Sequence, residues 1–244
     1  MDNVKITVLV DNFNGAISGY VKDFGFAALI EKGNVKVLFD TGTNPEVLRN
    51  NLHIYGVSFR SLNAVILSHN HYDHTNGLTA IVKDYPDIPI YVHKYWDSPV
   101  RYSGAGLSES QVIVSEGAHE CIELTKGIYL TNTKSSGDYG GIHEHACYIQ
   151  TDDSYILICG CCHPGLNKFL SDRSDLDIPM EGNLHFIGGM HSFRFTDIEA
   201  EKLNPYVKSV ILCHCTQNAK TFFKQFGDKC QKAVLGKTIS YSNK

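Results

Sequence analysis

The sequence predicts an α/β protein built in layers, with two similar halves in one domain. Short apolar or alternating runs typical of β-strands recur along the 244 residues, and segments with apolar residues at helical spacing lie between them. No low-complexity linker divides the chain, so we expect a single domain over residues 1–244. A hydrophobic content of 43% is enough to form a sizeable core.

The first half begins with three strand-like runs and then alternates helix and strand. β-branched residues and flanking turn formers predict strands at residues 5–12, 25–31, 35–40, 64–68 and 88–93. Helical spacing predicts helices at residues 44–55 and 77–85. Residues 96–115 show little periodicity and are rich in Ser and Gly, as expected of a loop or lid over a site.

The second half repeats this alternation. Strands are predicted at residues 128–130, 146–149, 155–159, 184–187 and 209–212, and helices at residues 197–203 and 219–226.

Composition and charge narrow the class of partner. The formal net charge is −4 and no block of Lys or Arg is present, which argues against nucleic acid as a partner and favours a small-molecule substrate. The first ten residues lack the pattern of a signal peptide, and no apolar stretch approaches the ~20 residues that span a bilayer. A chain of this size needs no disulfides despite its eight cysteines, so we expect no membrane association and a reducing cytoplasm. The sequence does not indicate an oligomeric state.

The most informative segment is His69-Asn70-His71-Tyr72-Asp73-His74, which begins where a buried strand is predicted to end. Neutral imidazoles and a carboxylate are suitable ligands for zinc and similar divalent ions. His69 and His71 alternate and can face one ion, while Asp73 and His74 can face a second. The alternative is a polar surface turn without a catalytic role.

This segment, continued by Thr75-Asn76-Gly77, resembles the signature motif of the metallo-β-lactamase superfamily. The run Leu38-Phe39-Asp40-Thr41-Gly42 resembles the strand motif that precedes it in that superfamily. Three further runs are similar to a subfamily that includes dihydropterin-methyl-(ribofuranosyl)aminobenzene-phosphate synthases: Gly160-Cys161-Cys162-His163-Pro164-Gly165, Ile187-Gly188-Gly189-Met190-His191 and Cys213-His214-Cys215-Thr216. The resemblance covers nearly the whole chain and implies a four-layer αββα sandwich with a site where both halves meet.

The resemblance also implies roles for individual residues. One metal would be bound by His69, His71 and His163, and a second by Asp73, His74 and His214. Asp40 would hold the metal loop through hydrogen bonds without binding metal. His191 would lie near the substrate pocket, and we expect Asp73 and His191 to take part in catalysis.

The third ligand of the first metal has alternatives. His143 or His145, which precede a predicted strand, could take the place of His163, and Glu144 between them suits an exposed, mobile connection. Cys161 stands where the superfamily has a bridging aspartate and could contribute a thiolate. Zinc is favoured by the imidazole donors, with manganese, iron, nickel and magnesium as the other candidates.

The function implied is that of a metallo-hydrolase that uses a metal-bound hydroxide on a small phosphorylated or ester-type substrate. A pyrophosphate-releasing transferase, which in the resembling subfamily joins an aminobenzene ring to a pterin methyl carbon, is the alternative. A module that binds metal without turnover is a further alternative, but the complete run from His69 to His74 argues against it. An oxidoreductase of the flavo-diiron type is disfavoured because His71 stands where that group has Glu.

Overall fold

The computed structural model describes residues 3–96, 112–115 and 127–241. It contains two large β-sheets and one small hairpin sheet. The first large sheet is formed by β1 (Val4–Val10), β2 (Ala27–Lys32), β3 (Val35–Phe39), β4 (Ala64–Ile66), β5 (Ile90–His93), β6 (Val112–Ser115) and β15 (Thr238–Tyr241). The second is formed by β7 (Ile128–Leu130), β10 (Cys147–Gln150), β11 (Ser154–Cys159), β12 (Asn183–Gly188), β13 (Val207–Leu212) and β14 (Cys230–Lys232). The hairpin pairs β8 (Lys134–Ser136) with β9 (Ile142–Glu144).

The helices are α1 (Pro45–Tyr55), α2 (Tyr72–Thr75), α3 (Leu78–Asp84), α4 (Leu166–Leu170), α5 (Asp197–Leu203) and α6 (Ala219–Phe226). The start of α1 is set by Asn44, whose side chain caps the Glu46 N–H, and by Pro45 in the first turn. Helix α5 begins with a capping box between Thr196 and Glu199.

The two large sheets pack face to face, with helices on both outer faces. Inward side chains of both sheets, such as Phe39 and Ile158, form one buried cluster between them. The outer face of the first sheet packs with Leu48 and Leu52 of α1 and with residues of α3. The outer face of the second packs with α4, α5 and α6. The predicted four-layer αββα sandwich is therefore confirmed.

Strand direction explains where a site can form. Strands β3 to β6 run parallel in the first sheet, and β11 to β14 run parallel in the second. The carboxyl ends of parallel strands lie at one edge of a sheet. His69 follows β4, Cys161 and His163 follow β11, and His214 follows β13, so loops from both sheets can meet.

The predicted helices and strands are all present, with ends shifted by at most two residues. The segment predicted as a loop at residues 96–115 ends in strand β6, which pairs with β5, while residues 97–111 lie outside the described residues. The second half also contains the hairpin β8–β9 and helix α4, which periodicity does not predict because both are short.

Candidate metal centre

The first of two adjacent groups of potential ligands consists of His69, His71 and His163. One ligand atom from each lies within 4.8 Å of the others. His69 Nε2 is 3.1 Å from His71 Nδ1. His163 Nε2 is buried and has no hydrogen-bond partner among the residues that the structure describes. A buried imidazole nitrogen with no such partner, next to other imidazoles, is suited to bind a metal ion.

The second group consists of Asp73, His74 and His214, again with ligand atoms within 4.8 Å. Asp73 Oδ2 is 3.0 Å from His214 Nε2 and 3.6 Å from His74 Nε2. The rings of His69 and His74 are 4.2 Å apart, so the two groups adjoin. The structure therefore brings together all six residues for which metal binding is predicted.

Buried oxygen atoms orient the ligand side chains. Asp40 Oδ2 accepts a hydrogen bond from Ser68 Oγ and contacts His74 Nδ1 at 2.7 Å, while its Oδ1 accepts one from the Ser68 N–H. Asn12 Oδ1 is 2.7 Å from His214 Nδ1. These contacts direct Nε2 of His74 and of His214 toward the second group. Asp40 lies behind the metal loop, where the resemblance implies it.

The His-rich run is a turn of helix and not only a loop, because residues 72–75 form α2 with His71 at its N-terminus.

The close approach of the loop after β3 to the end of this run requires glycine at position 77. A Cβ there would lie 1.9 Å from the carbonyl oxygen of Thr41, and the Gly77 N–H donates to the Gly42 carbonyl. The run is thus held tightly against the loop that follows β3.

The position of Glu144 contradicts the prediction that this residue lies in an exposed, mobile connection. It is completely buried at the end of β9. Its carboxylate accepts hydrogen bonds from the backbone N–H groups of Cys161, Cys162 and His163 at 2.8–3.0 Å. Burial raises the pKa of Glu144 to about 7, against the lowering effect of these donors. Glu144 therefore fixes the turn that carries His163, a role that no sequence motif signals.

The alternatives for the third ligand of the first group separate clearly by position. His145 Nε2 is 2.9 Å from the Leu67 carbonyl oxygen, and burial lowers the pKa of His145 to about 3, so this ring is neutral and donates to that oxygen. His143 lies beside Tyr95, with ring centroids 4.5 Å apart. Within the described ranges, neither belongs to a group of potential ligands, whereas His163 belongs to two.

Cys161 lies at the junction of the two groups. Its Sγ is 3.1 Å from His74 Nε2 and 3.2 Å from the Sγ of Cys215. Sequence reasoning did not identify Cys215 as a site residue. The resemblance suggests Cys161 as a possible thiolate ligand, but it does not pair this residue with Cys215.

His191 lies beside this centre and not within it. Its ring centroid is 4.4 Å from that of His163. Asp138, at the hairpin β8–β9, has Oδ2 3.0 Å from His163 Nδ1. The same oxygen is 3.5 Å from His191 Nδ1, in an orientation that makes no hydrogen bond. Asp138 was also missed in the sequence, because it lies in a Gly-rich turn without a recognisable motif.

A cavity of about 790 Å³ opens beside the centre. It reaches His71 and Asp73, and its other lining residues include five aromatic side chains and a lysine: Phe24, Tyr72, Tyr95, Trp96, Tyr139 and Lys94. His191 is not among the residues that line it.

The electrostatics of the two groups suit divalent cations. Burial lowers the pKa of His163 to about 4 and also holds the pKa of His69 well below its usual value, so both imidazoles are neutral and can bind metal. Burial opposes ionisation of Asp73, but the charge of His74 and the hydrogen bond with His214 lower the pKa of this carboxyl. Burial also disfavours charged His74, yet Asp40 and Asp73 raise its pKa to about 9. Two carboxylates thus favour a cation at this position, and the donor set fits divalent metals.

This protein has the layered αββα architecture. Its clustered histidines and aspartate lie at the edge where the two sheets meet, which is typical of metal-dependent proteins with this architecture. A family model for the metallo-β-lactamase superfamily matches residues 21–160. The chain belongs to this superfamily.

Three relatives illustrate the similarity. The 7,8-dihydropterin-6-methyl-4-(β-D-ribofuranosyl)-aminobenzene-5′-phosphate synthase of Methanocaldococcus jannaschii is 26% identical, over 99% of this chain and 98% of its own length. A metal-dependent hydrolase of the β-lactamase superfamily has a TM-score of 0.71 and 24% identity, covering 98% of this chain and all of that one. The metallo-β-lactamase fold protein YhfI from Bacillus subtilis has a TM-score of 0.66 and 16% identity, covering 99% and 100%. The prediction of an enzyme is confirmed by this agreement.

Two further observations bear on the environment of the protein. Within the described ranges, the helices are too short or too polar to cross a membrane. The seven cysteines within those ranges are free thiols.

Proposed function

We propose that this protein is a metal-dependent hydrolase that binds two divalent cations, preferably zinc, and acts on a small phosphorylated or ester-type substrate. One observation carries the proposal: two adjacent groups of three potential ligands, each within 4.8 Å, lie beside a cavity of substrate size. The first ion would be held by His69, His71 and His163, and the second by Asp73, His74 and His214. The free thiols favour a reducing compartment such as the cytoplasm.

When bound, two divalent cations lower the pKa of water toward neutrality and stabilise the negative charge that develops on the substrate. Asp73 faces both the cavity and His214, so its ionised carboxylate can orient a water molecule toward the substrate by accepting a hydrogen bond from it. His191 lies beside His163 and close to Asp138 but does not line the cavity, so we assign it a supporting role in catalysis at the edge of the centre. Lys94 at the cavity wall offers a positive charge to an anionic substrate.

A pyrophosphate-releasing transferase acting on a pterin is the second candidate. Two observations favour it: the synthase relative matches over nearly the full length of both chains, and aromatic side chains that can stack on a planar ring line the cavity.

The proposal is tested by elemental analysis of the purified protein and by turnover on phosphoesters, lactones, thioesters and pterin pyrophosphates. We expect about two metal ions per chain, and loss of metal and activity in His71→Ala, because this side chain faces both His69 and the cavity. His53→Ala, at an exposed position of α1, serves as the control. Unchanged metal content and activity in His71→Ala would contradict the proposal.

The same panel separates the two reactions. With a pterin pyrophosphate, a transferase releases pyrophosphate only when an aminobenzene acceptor is present. A hydrolase releases pyrophosphate without this acceptor, because water takes its place.

A further inference from the structure

Two sulfur atoms lie inside the candidate metal centre, in addition to its histidines and aspartate. Cys161 Sγ and Cys215 Sγ are 3.2 Å apart. Cys161 is 3% exposed, and Cys215 is half-buried. Both follow parallel strands of the second sheet, β11 and β13, so they reach the centre from the side opposite the His-rich run.

Cys161 lies close to both groups of ligands. It forms one group of ligand atoms within 4.8 Å with His69 and His74, which belong to the first and second groups respectively. It forms another with His214 and Cys215. Two ligands bound to one zinc ion at about 2.0–2.3 Å lie about 3.3–3.8 Å apart in tetrahedral geometry. The 3.1 Å from Cys161 Sγ to His74 Nε2 is close to that spacing.

The backbone places both sulfurs firmly. Cys161 begins the turn that Glu144 holds through three N–H groups. Cys215 has a φ of 59°, in the left-handed region, directly after His214. Its sulfur occupies space that a side chain at Gly189 would fill, since a Cβ there would lie 2.7 Å from Cys215 Sγ. These positions are therefore set by the fold and not by rotation of a surface side chain.

We propose that Cys161 and Cys215 are thiolate ligands of this metal centre, with Cys161 at the junction of the two ligand groups and Cys215 beside His214. This inference rests on the proposed function, because it requires the same metals. On coordination each thiol releases its proton to solvent and no electrons are transferred. Thiolates favour zinc, cobalt or cadmium over magnesium and manganese, so the pair would narrow the choice of metal.

The test uses the full chain reconstituted with Co²⁺, for which bound thiolate gives a sulfur-to-cobalt charge-transfer band in the near ultraviolet. We expect this band in the unsubstituted protein, its loss or strong reduction in Cys161→Ser, and a weaker reduction in Cys215→Ser. Cys162→Ser is the matched control, because Cys162 is adjacent and fully buried but belongs to none of the ligand groups among the described residues. It should retain the band.

A second measurement needs no variant and so does not depend on the folding of one. Iodoacetamide is applied to the unsubstituted protein with zinc and after treatment with a chelator, and the modified cysteines are located by mass spectrometry. We expect zinc to slow the alkylation of Cys215, whose side chain is half-buried, and its removal to make this thiol reactive.

The outcomes separate this inference from the proposed function. Cobalt bound without a charge-transfer band, or alkylation of Cys215 at a rate that zinc does not change, would overturn the thiolate pair and leave the histidine–aspartate centre standing. Failure of the protein to bind cobalt or zinc would overturn both.

Discussion

Several histidines of the candidate metal centre share one arrangement, in which Nδ1 contacts a side-chain oxygen and Nε2 is left for the centre. The partners are Asp40 for His74, Asn12 for His214, Ser68 for His69 and Asp138 for His163. Such contacts fix the orientation of the ring and, where the partner is a carboxylate, increase the basicity of the opposite nitrogen. For His74, His163 and His214 they connect the orientation of the ligand to residues far away in the sequence, whereas Ser68 directly precedes His69.

The first prediction concerns Asp40→Asn. The amide can still accept a hydrogen bond from the Ser68 N–H, but its NH₂ group would face His74 Nδ1 in place of a carboxylate oxygen. We expect metal affinity to fall by about 10–100-fold without being abolished, as is usual for such outer partners. Competition with a chromophoric chelator measures this, with the exposed Asp152→Asn as control. Complete loss of metal would instead indicate that Asp40 itself binds the ion.

The second prediction distinguishes His163 from His143 and His145. Because His163 Nε2 is buried without a partner beside His69 and His71, His163→Ala should lose metal and activity together. His145→Ala should lower stability, since it removes the hydrogen bond to the Leu67 carbonyl, but should keep both ions bound. His143→Ala should affect substrate binding at the cavity wall more than metal content. The reverse ranking, measured on matched preparations, would exclude His163 as a ligand.

Among the secondary-structure elements, those with a clear apolar pattern could be predicted, whereas the hairpin β8–β9 and helix α4 could not. Helix α5 matches its predicted range because capping and spacing agree, and β11 does so within one residue because a buried strand is a continuous apolar run. The hairpin β8–β9 lacks such a signal, since its strands have three residues each and turn at Gly140 and Gly141. The hairpin contributes to the site through Glu144 and Asp138, whose contacts with the turn after β11 form only in the folded chain.

The same reasoning applies to the candidate site. The run from His69 to His74 is visible because its members are adjacent in sequence. Glu144, Asp138 and Cys215 become site residues only through contacts with other strands, so their residue type alone does not distinguish them from surface or core positions.

The third prediction tests how β9 supports the turn after β11. In Glu144→Gln the amide oxygen can keep the bonds from Cys161 and Cys162, but the NH₂ group would face the His163 N–H. We expect a loss of about 1–3 kcal/mol in the free energy of unfolding, because a buried donor loses its acceptor. Weaker metal binding should follow, because His163 is displaced. Urea unfolding measures the first effect, and the exposed Glu181→Gln serves as the control.

If Glu144→Gln leaves both stability and metal affinity unchanged, the carboxylate does not hold this turn. Glu144→Ala, which leaves all three N–H groups without an acceptor, should be more destabilising than the Gln variant.

For the molecule as a whole, buried neutral histidines predict acid sensitivity of the metal-free protein. Burial lowers the pKa of His145, His163 and His185 to about 3, 4 and 4, whereas the unfolded chain binds these protons near pH 6.5. The unfolded state therefore binds more protons between about pH 6.5 and 4, and stability is lost as pH falls through this range. Burial lowers the pKa of His69 as well. Glu144, with a pKa raised to about 7, and Asp11, with a raised pKa, act in the opposite direction, but they are two groups against four histidines.

Urea unfolding of chelator-treated protein between pH 7 and pH 5 tests this expectation. His185→Gln should make the dependence on pH shallower, because His185 lies away from the metal centre and contacts Ser209. His53→Gln, at an exposed position, should leave it unchanged. A dependence on pH that is the same in all three proteins would show that these buried histidines do not govern the acid transition.

The last prediction follows from the origin of the ligands in both sheets. His69, His71, Asp73 and His74 come from the loop after β4 of the first sheet, whereas His163 and His214 follow β11 and β13 of the second. Metal bound there links the two sheets at their common edge and stabilises the folded state by mass action, by about 4 kcal/mol at a free concentration 1,000 times the dissociation constant. Zinc should therefore raise the thermal midpoint of the chelator-treated protein and slow amide hydrogen exchange at residues 68–76, 160–165 and 213–216 together. In His214→Ala, protection at residues 213–216 should be lost first. Protection confined to residues 68–76 in the unsubstituted protein would mean that the His-rich run binds metal alone, and would contradict a centre shared by the two halves of the chain.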